Sequence, residues 1–262
     1  MDTASSENNR SPVIVMTAGG LNPSIVTQHL ARNGFDVQVI LENPESKGEI
    51  TRRRARRLGW INAFGQLGTM IVARLLRRLA DRRVAELLSL HGLDRGLPEA
   101  VPIHPVTSIN APETKSLVED IRPGAILLVS TRLMSSRQLA AMPCPVINLH
   151  AGINPGYRGQ MGGYWSLRQK DPQNFGATLH LVDAGTDTGS TLYEVRTTPA
   201  KGDFISTYPL VLTIAALDIT ARALRDVQDG TLHPMPPSGP SALRFPPTLW
   251  SWIWHGIISR IW

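Results

Sequence analysis

Apolar residues along this chain fall into short, dense runs separated by longer stretches of helical period. The runs at 13–17, 37–41, 103–106, 125–130 and 146–147 are too short for helices and lack strict alternation, as expected of strands buried on both faces. Between them, residues 23–33, 47–90, 112–121 and a turn or two around 136–141 read as helices, with further helices at 162–170 and 207–228, the last capped near Ser206. Residues 176–194 alternate around an Asp/Gly/Thr loop, which predicts an antiparallel hairpin. The order predicts an α/β fold: a Rossmann-like, mostly parallel sheet flanked by helices, with a hairpin after the last parallel strand and a short C-terminal extension. Residues 1–232 would form that domain, with a basic helical insertion at about 47–95. Residues 233–262 would be a Pro-rich linker and a Trp-rich tail.

With 262 residues and 42% apolar content the chain can bury a substantial core. Its one cysteine, Cys144, lies between two prolines before an apolar run, so it forms no intramolecular disulfide and is expected to be buried and inert. The first twelve residues are polar and no apolar run approaches about 18 residues, so neither a signal peptide nor a membrane span is expected and the compartment is cytoplasmic.

Charge changes this picture more than composition does. The net charge is +6, yet residues 47–83 carry eleven basic residues against Glu49 and Asp81, leaving the remainder slightly negative. Arg52, Arg53, Arg54, Arg56 and Arg57 cluster, and further on Arg74, Arg77 and Arg78 oppose Ile71, Leu75, Leu76 and Leu79. Solvated amphipathic helices account for this, as does an anionic substrate, since guanidinium forks suit phosphates. A membrane surface stays open; nucleic acid is disfavoured because no aromatics interleave with the arginines. Trp250, Trp252, Trp254 and Trp262 in the tail need cover from the domain itself, from a second copy in a homodimer, or from a bilayer surface.

The chemistry concentrates in 146–159, VINLHAGINPGYRG. Two residues apart on a strand, Asn148 and His150 point to one side, and an amide donor beside an imidazole suits a reaction in which a carbonyl oxygen gains charge while a nucleophile loses a proton. The hairpin would hold Asp187 at its tip, where a carboxylate could support His150. Gly19 and Gly20, before the first helix, allow backbone amides to approach an anion, although a tight turn without a ligand explains them equally. Histidines at metal-ligand spacing do not occur, so no metal is called for.

Two blocks together resemble the folate-dependent formyltransferases: Asn148, His150, Pro155, Tyr157, Arg158, Gly159, then Gly176, Thr178, His180, Val182, Asp187, Gly189. The resemblance spans about residues 100–228 and departs at Gly152, where the family usually has Ser, and at Asn154, usually Leu. It implies formyl transfer from 10-formyl-tetrahydrofolate to a primary amine, with Asn148, His150 and Asp187 catalytic. The pterin would lie against Leu133, Met134 and the loop of Asp183, Gly185 and Asp187. Gly19, Gly20, Asn22, Tyr157, Arg158, Thr178 and His180 are candidate acceptor contacts, with His180 as readily a packed strand residue. The acceptor is expected to be a small phosphorylated amine such as a nucleotide-linked amino sugar, with glycinamide ribonucleotide the nearest alternative. Hydrolysis of the formyl-folate and non-catalytic folate binding are the rival classes. The tail is too short for the separate barrel of the transfer-RNA-acting members, which argues against initiator tRNA.

Overall fold

The computed structural model describes residues 10–262, with the side chain of Arg77 outside the described set. In chain order the strands are β1 (Val13–Thr17), β2 (Val37–Glu42), β3 (Ile103–Val106), β4 (Ala125–Leu128), β5 (Val146–His150), β6 (Arg158–Gly159), β7 (Gly176–Leu181), β8 (Thr191–Arg196) and β9 (Leu243–Arg244). The helices are α1 (Leu21–Arg32), α2 (Lys47–Leu58), α3 (Trp60–Leu75), α4 (Arg77–Leu90), α5 (Pro112–Ile121), α6 (Ser136–Ala140), α7 (Gly162–Arg168), α8 (Tyr208–Ala215), α9 (Leu217–Asp229) and α10 (Leu249–Ser259).

Seven strands form one sheet in the order β3-β2-β1-β4-β5-β7-β8, the first five parallel and the hairpin β7/β8 antiparallel. Four of the five apolar runs are buried on both faces, as their lack of alternation implied; the edge strand β3 is not, with Ile103 44% exposed and Val106 alone buried. Val13, Val15, Val39, Leu127 and Ile147 pack into one core, under α1, α8 and α9. Their neighbours Ile14, Met16, Ile40, Ile126 and Val146 pack into another, with Val118 of α5. In parallel register Met16 lies beside Leu128 and Leu128 beside Asn148. The loop after β1 and the end of β5 therefore share the C-terminal edge of the sheet, the customary place for an α/β site.

Two boundaries differ from the sequence reading. Helix α1 starts at Leu21, not at 23, because Gly20 (φ 110°) supplies the turn into it and Asn22 already lies in its first turn. The helix expected over 207–228 is interrupted at Ala216, and Ser206 does not cap it: the hydroxyl that bonds the backbone there belongs to Thr207, which accepts from Phe204 N at 3.0 Å. The break lets α8 serve two cores, the third with Tyr208 and Leu212 and the first with Leu210 and Ile214, while α9 turns Ala223 and Leu224 to the first.

The third core joins the Trp-rich tail to the body: Trp252 of α10 is buried with Tyr164, Phe175 and Tyr208. Helix α10 also packs on α3, where Gly65 and Gly68 make room; a Cβ at Gly65 would come within 2.4 Å of the Trp250 ring. The proline-rich segment is mostly irregular but pairs twice with the body, through Thr191–Met235 and through the parallel pair β6/β9.

Candidate active site

Strand β5 presents Asn148 and His150 on one side, and its antiparallel register with β7 sets His180 opposite Asn148 and Thr178 opposite His150. The loop between β7 and β8 then folds back over this edge and brings in Asp187, which adopts a left-handed backbone (φ 50°). Gly189 permits the fold-back: a Cβ there would sit 1.7 Å from the Leu181 carbonyl oxygen.

Asp187 is the hub. One carboxylate oxygen, Oδ2, accepts from the Gly159 amide at 2.8 Å and lies 3.5 Å from His150 Nδ1. The other, Oδ1, accepts from Asn148 Nδ2 at 3.1 Å and lies 3.3 Å from His180 Nε2. Burial alone would raise the Asp187 carboxyl, but the neighbouring His150, the hydrogen-bonding His180 and the Gly159 amide prevail and hold it down to about 2. The site thus contains a fixed negative charge between two imidazoles.

Both nitrogens of His150 face oxygen: Nδ1 faces Asp187 and Nε2 lies 2.8 Å from the Tyr157 carbonyl. Gly152 packs against that second contact. A Cβ at position 152 would lie 2.6 Å from His150 Nε2 and 2.6 Å from Tyr157 O, so the family's usual Ser does not fit this loop conformation.

The remaining sequence candidates divide between the site and its supports. Thr178 is buried, donates to Gly152 O at 2.9 Å and accepts from Asn154 N at 3.1 Å, so it ties the loop to β7. Tyr157 turns away from Asp187, and its hydroxyl donates to Asp171 at 2.6 Å. Arg158 braces the Asp187 loop by donating to Thr186 O at 2.9 Å. Asp183 closes that loop on itself, accepting from Gly185 N at 3.0 Å and from the Thr188 hydroxyl at 2.6 Å. Met134 is buried in the second core whereas Leu133 is exposed, with its carbonyl accepting from Asn110 at 2.9 Å. Gly19 (φ 84°) and Gly20 turn the chain at the head of α1, with the Gly19 amide donating to the Thr17 hydroxyl at 2.9 Å. Cys144 is removed from this chemistry, its thiol pushed up to about 11 by burial.

Sequence reasoning missed Glu42, which is buried at the end of β2. Its carboxylate accepts from the Arg132 and Ile109 amides at 2.8 and 3.1 Å and pairs with the Arg132 guanidinium at 2.5 Å, clamping two loops at the sheet's C-terminal edge. A carboxylate ending an otherwise apolar strand was the available signal. It also missed Arg54, a buried guanidinium that donates to Gln160 at 2.7 Å and so ties α2 to the residue after Gly159. Among the described residues, no three His, Cys, Asp or Glu side chains are grouped so as to hold a metal ion. A cavity of about 780 Å³ between Tyr157, Glu194 and the segment around Pro237 is lined by neither His150 nor Asp187.

Residues 81–207, which hold all four polar side chains of this cluster, match the sequence profile of the formyl transferase family. This segment, just under half of the chain, is similar to formyl transferases. Two methionyl-tRNA formyltransferases align with it: that of Chlorobium chlorochromatii is 23% identical over 48% of this chain and 40% of its own length, and that of Pelobacter propionicus is 28% identical over 50% and 42%. The chain thus spans less than half the length of these curated relatives. The formyl transferase fold extends further than the sequence likeness. Glycinamide ribonucleotide transformylase 1 of Symbiobacterium toebii superposes over 85% of this chain and 90% of its own, with a TM-score of 0.56 at 16% identity. A 4-N formyltransferase from Francisella tularensis superposes over 89% and 76%, with a TM-score of 0.55 at 13% identity. Helices α2, α3 and α10 lie outside the matched formyl transferase segment.

Proposed function

We propose that the protein transfers a formyl group from 10-formyl-tetrahydrofolate to the primary amine of a small anionic acceptor, a nucleotide-linked amino sugar by preference. The observation that carries this reading is Asp187, buried and ionised between His150 on one oxygen and Asn148 with His180 on the other. The two loops flanking Asn148 suit a flat, partly apolar ring, since one exposes Leu133 and the other exposes the backbone around Gly185.

In this reading the amine nitrogen attacks the formyl carbon, the carbonyl oxygen takes up negative charge, and the bond from carbon to the folate nitrogen breaks as a proton passes from the amine to that nitrogen. Asn148 gives a hydrogen bond to the developing oxyanion. To do so it gives up its contact with His180 Nε2 and keeps the one with the Asp187 carboxylate. His150 carries the proton between the two nitrogens once the acceptor displaces its contact with the Tyr157 carbonyl. Asp187 orients His150 and favours its charged form. Gly19, Gly20 and Asn22 at the head of α1 receive the phosphate of the acceptor.

The test is tetrahydrofolate production, followed by absorbance, with purified protein and 10-formyl-tetrahydrofolate. Nucleotide-linked amino sugars, glycinamide ribonucleotide, charged initiator tRNA and a blank without amine make up the panel. Turnover with an amino sugar that Asn148→Ala abolishes supports the proposal. Turnover with glycinamide ribonucleotide or the tRNA alone reassigns the acceptor, and turnover in the blank makes the protein a hydrolase.

A further inference from the structure

Helices α3 and α10, packed on each other through Gly65 and Gly68, each leave an outer face uncovered among the described residues. Trp60, Ile61 and Phe64 on α3 and Trp254, Ile257 and Ile258 on α10 are each more than half exposed, although Trp252 and Ala63 on the inner sides are buried. The exposed positions follow helical spacing, so each helix carries an apolar stripe and not scattered surface residues.

Their charge setting is one-sided. No acidic residue occurs between Glu49 and Asp81 or after Asp229, so both helices are free of carboxylates. Exposed arginines stand at their margins: Arg52 and Arg56 on α2, Arg74 at the end of α3 and Arg78 on α4. None of these four is held in an ion pair among the described residues, whereas Arg53 is neutralised by Glu45 and Arg83 by Asp203. Beside the α3 stripe, Lys47, Arg74 and Arg78 line a cavity of about 550 Å³ together with Ile71, Leu75 and Asp81. That groove has apolar walls and a cationic margin, the complement of a phosphate headgroup with the start of its acyl chains. Among the described residues no helix is long and apolar enough to cross a membrane, which leaves a helix pair lying in the interface.

We propose that the α3/α10 face is a docking surface for an anionic lipid bilayer. The tryptophans sit at headgroup depth, the aliphatic residues enter the acyl boundary, and the flanking arginines bind lipid phosphates. Helix α2 connects this face to the candidate site, since Arg54 holds Gln160 next to the Gly159 amide on Asp187. The inference is independent of the transferase reading, because it uses no residue of the Asn148/His150/Asp187 cluster.

Flotation of the full chain with vesicles tests it, using phosphatidylcholine alone and phosphatidylcholine with one third phosphatidylglycerol. The protein should float with the anionic vesicles, release at raised salt, and shift its tryptophan emission to the blue on binding. Phe64→Ser combined with Trp254→Ser, both exposed positions that leave the core intact, should abolish flotation. Arg74→Ala with Arg78→Ala should weaken binding about twenty-five-fold to anionic vesicles only, at about a factor of five per arginine. Protein that stays in the soluble fraction with both vesicle types overturns the proposal. So does flotation that ignores all four substitutions. A mass of two chains by light scattering without lipid, reduced to one by Phe64→Ser, also overturns it and gives the face to a second copy.

Discussion

Asn148 Nδ2 and His180 Nε2 meet at 3.1 Å across β5 and β7. His180 Nε2 also lies 3.3 Å from Asp187 Oδ1, and Nδ1 faces the Leu181 carbonyl at 2.8 Å, so this imidazole holds the Asn148 amide against the carboxylate. His180 therefore aims the Asn148 amide. Asn148→Ala should lower kcat about a hundredfold to a thousandfold, the usual result of removing an oxyanion donor. His180→Ala should lower kcat by less, because the donor remains and only its aim is lost. Steady-state kinetics on the two variants separate these roles, and equal losses would mean that His180 itself touches the reacting atoms.

Asp187 links the site to acid stability. Its carboxyl is held at about 2 in the folded protein, below its ordinary value, so it stabilises the fold above pH ~4 and loses that contribution as pH falls towards 2. The difference corresponds to about 2 kcal/mol. Urea midpoints measured from pH 5 to pH 2 should fall more steeply for the parent protein than for Asp187→Asn, which starts lower and has no such charge to lose.

Gly152→Ser restores the residue usual in the family and should nevertheless impair this chain. The new Cβ would enter the space between His150 Nε2 and Tyr157 O, at 2.6 Å from each. Either the loop moves or the imidazole rotates off Asp187, at about 1–3 kcal/mol for overpacking. A lower thermal midpoint together with reduced kcat is the expected outcome, and unchanged values for both would show that the loop adapts freely.

Gly65→Ala reports on the seat of α10. Its methyl group would meet the Trp250 ring at 2.4 Å and Thr248 at 2.8 Å, so it should separate α10 from α3 without touching the site. Trypsin should cut after Arg244 faster in this variant, and an unchanged digestion rate would contradict the packing.

Most of the fold was legible because parallel strands buried on both faces leave dense apolar runs, and because the α1 and α5 boundaries carry their own punctuation. Gly20 and Gly34 bracket the first, and Pro112 opens the second. The cluster was legible in part. The two-residue spacing of Asn148 and His150 predicts a shared direction, but nothing local says that His180 stands opposite Asn148, since that depends on the register of β5 with β7. Tyr157 and Thr178 are candidate acceptor contacts from the resemblance, and in the structure their hydroxyls bond Asp171 and the Gly152 carbonyl. Which oxygen a hydroxyl reaches is a tertiary fact. The break at Ala216 was hidden for the same reason, because 207–228 is a sound helix by propensity and only the demands of two separate cores divide it.

The short pairing of β6 with β9 has a consequence for the order in which the molecule is made. Gly159, whose amide holds Asp187, stands opposite Arg244 and is fixed by its neighbours, with Gln160 N donating to Arg244 O at 2.9 Å and Arg158 N to Ala242 O at 3.2 Å. During synthesis the sheet can close once β8 has left the ribosome, yet the loop that fixes Asp187 has no partner strand until some fifty residues later. The nascent chain would thus close its sheet before the site is competent, and a segment that emerges later sets the geometry of a cluster encoded upstream.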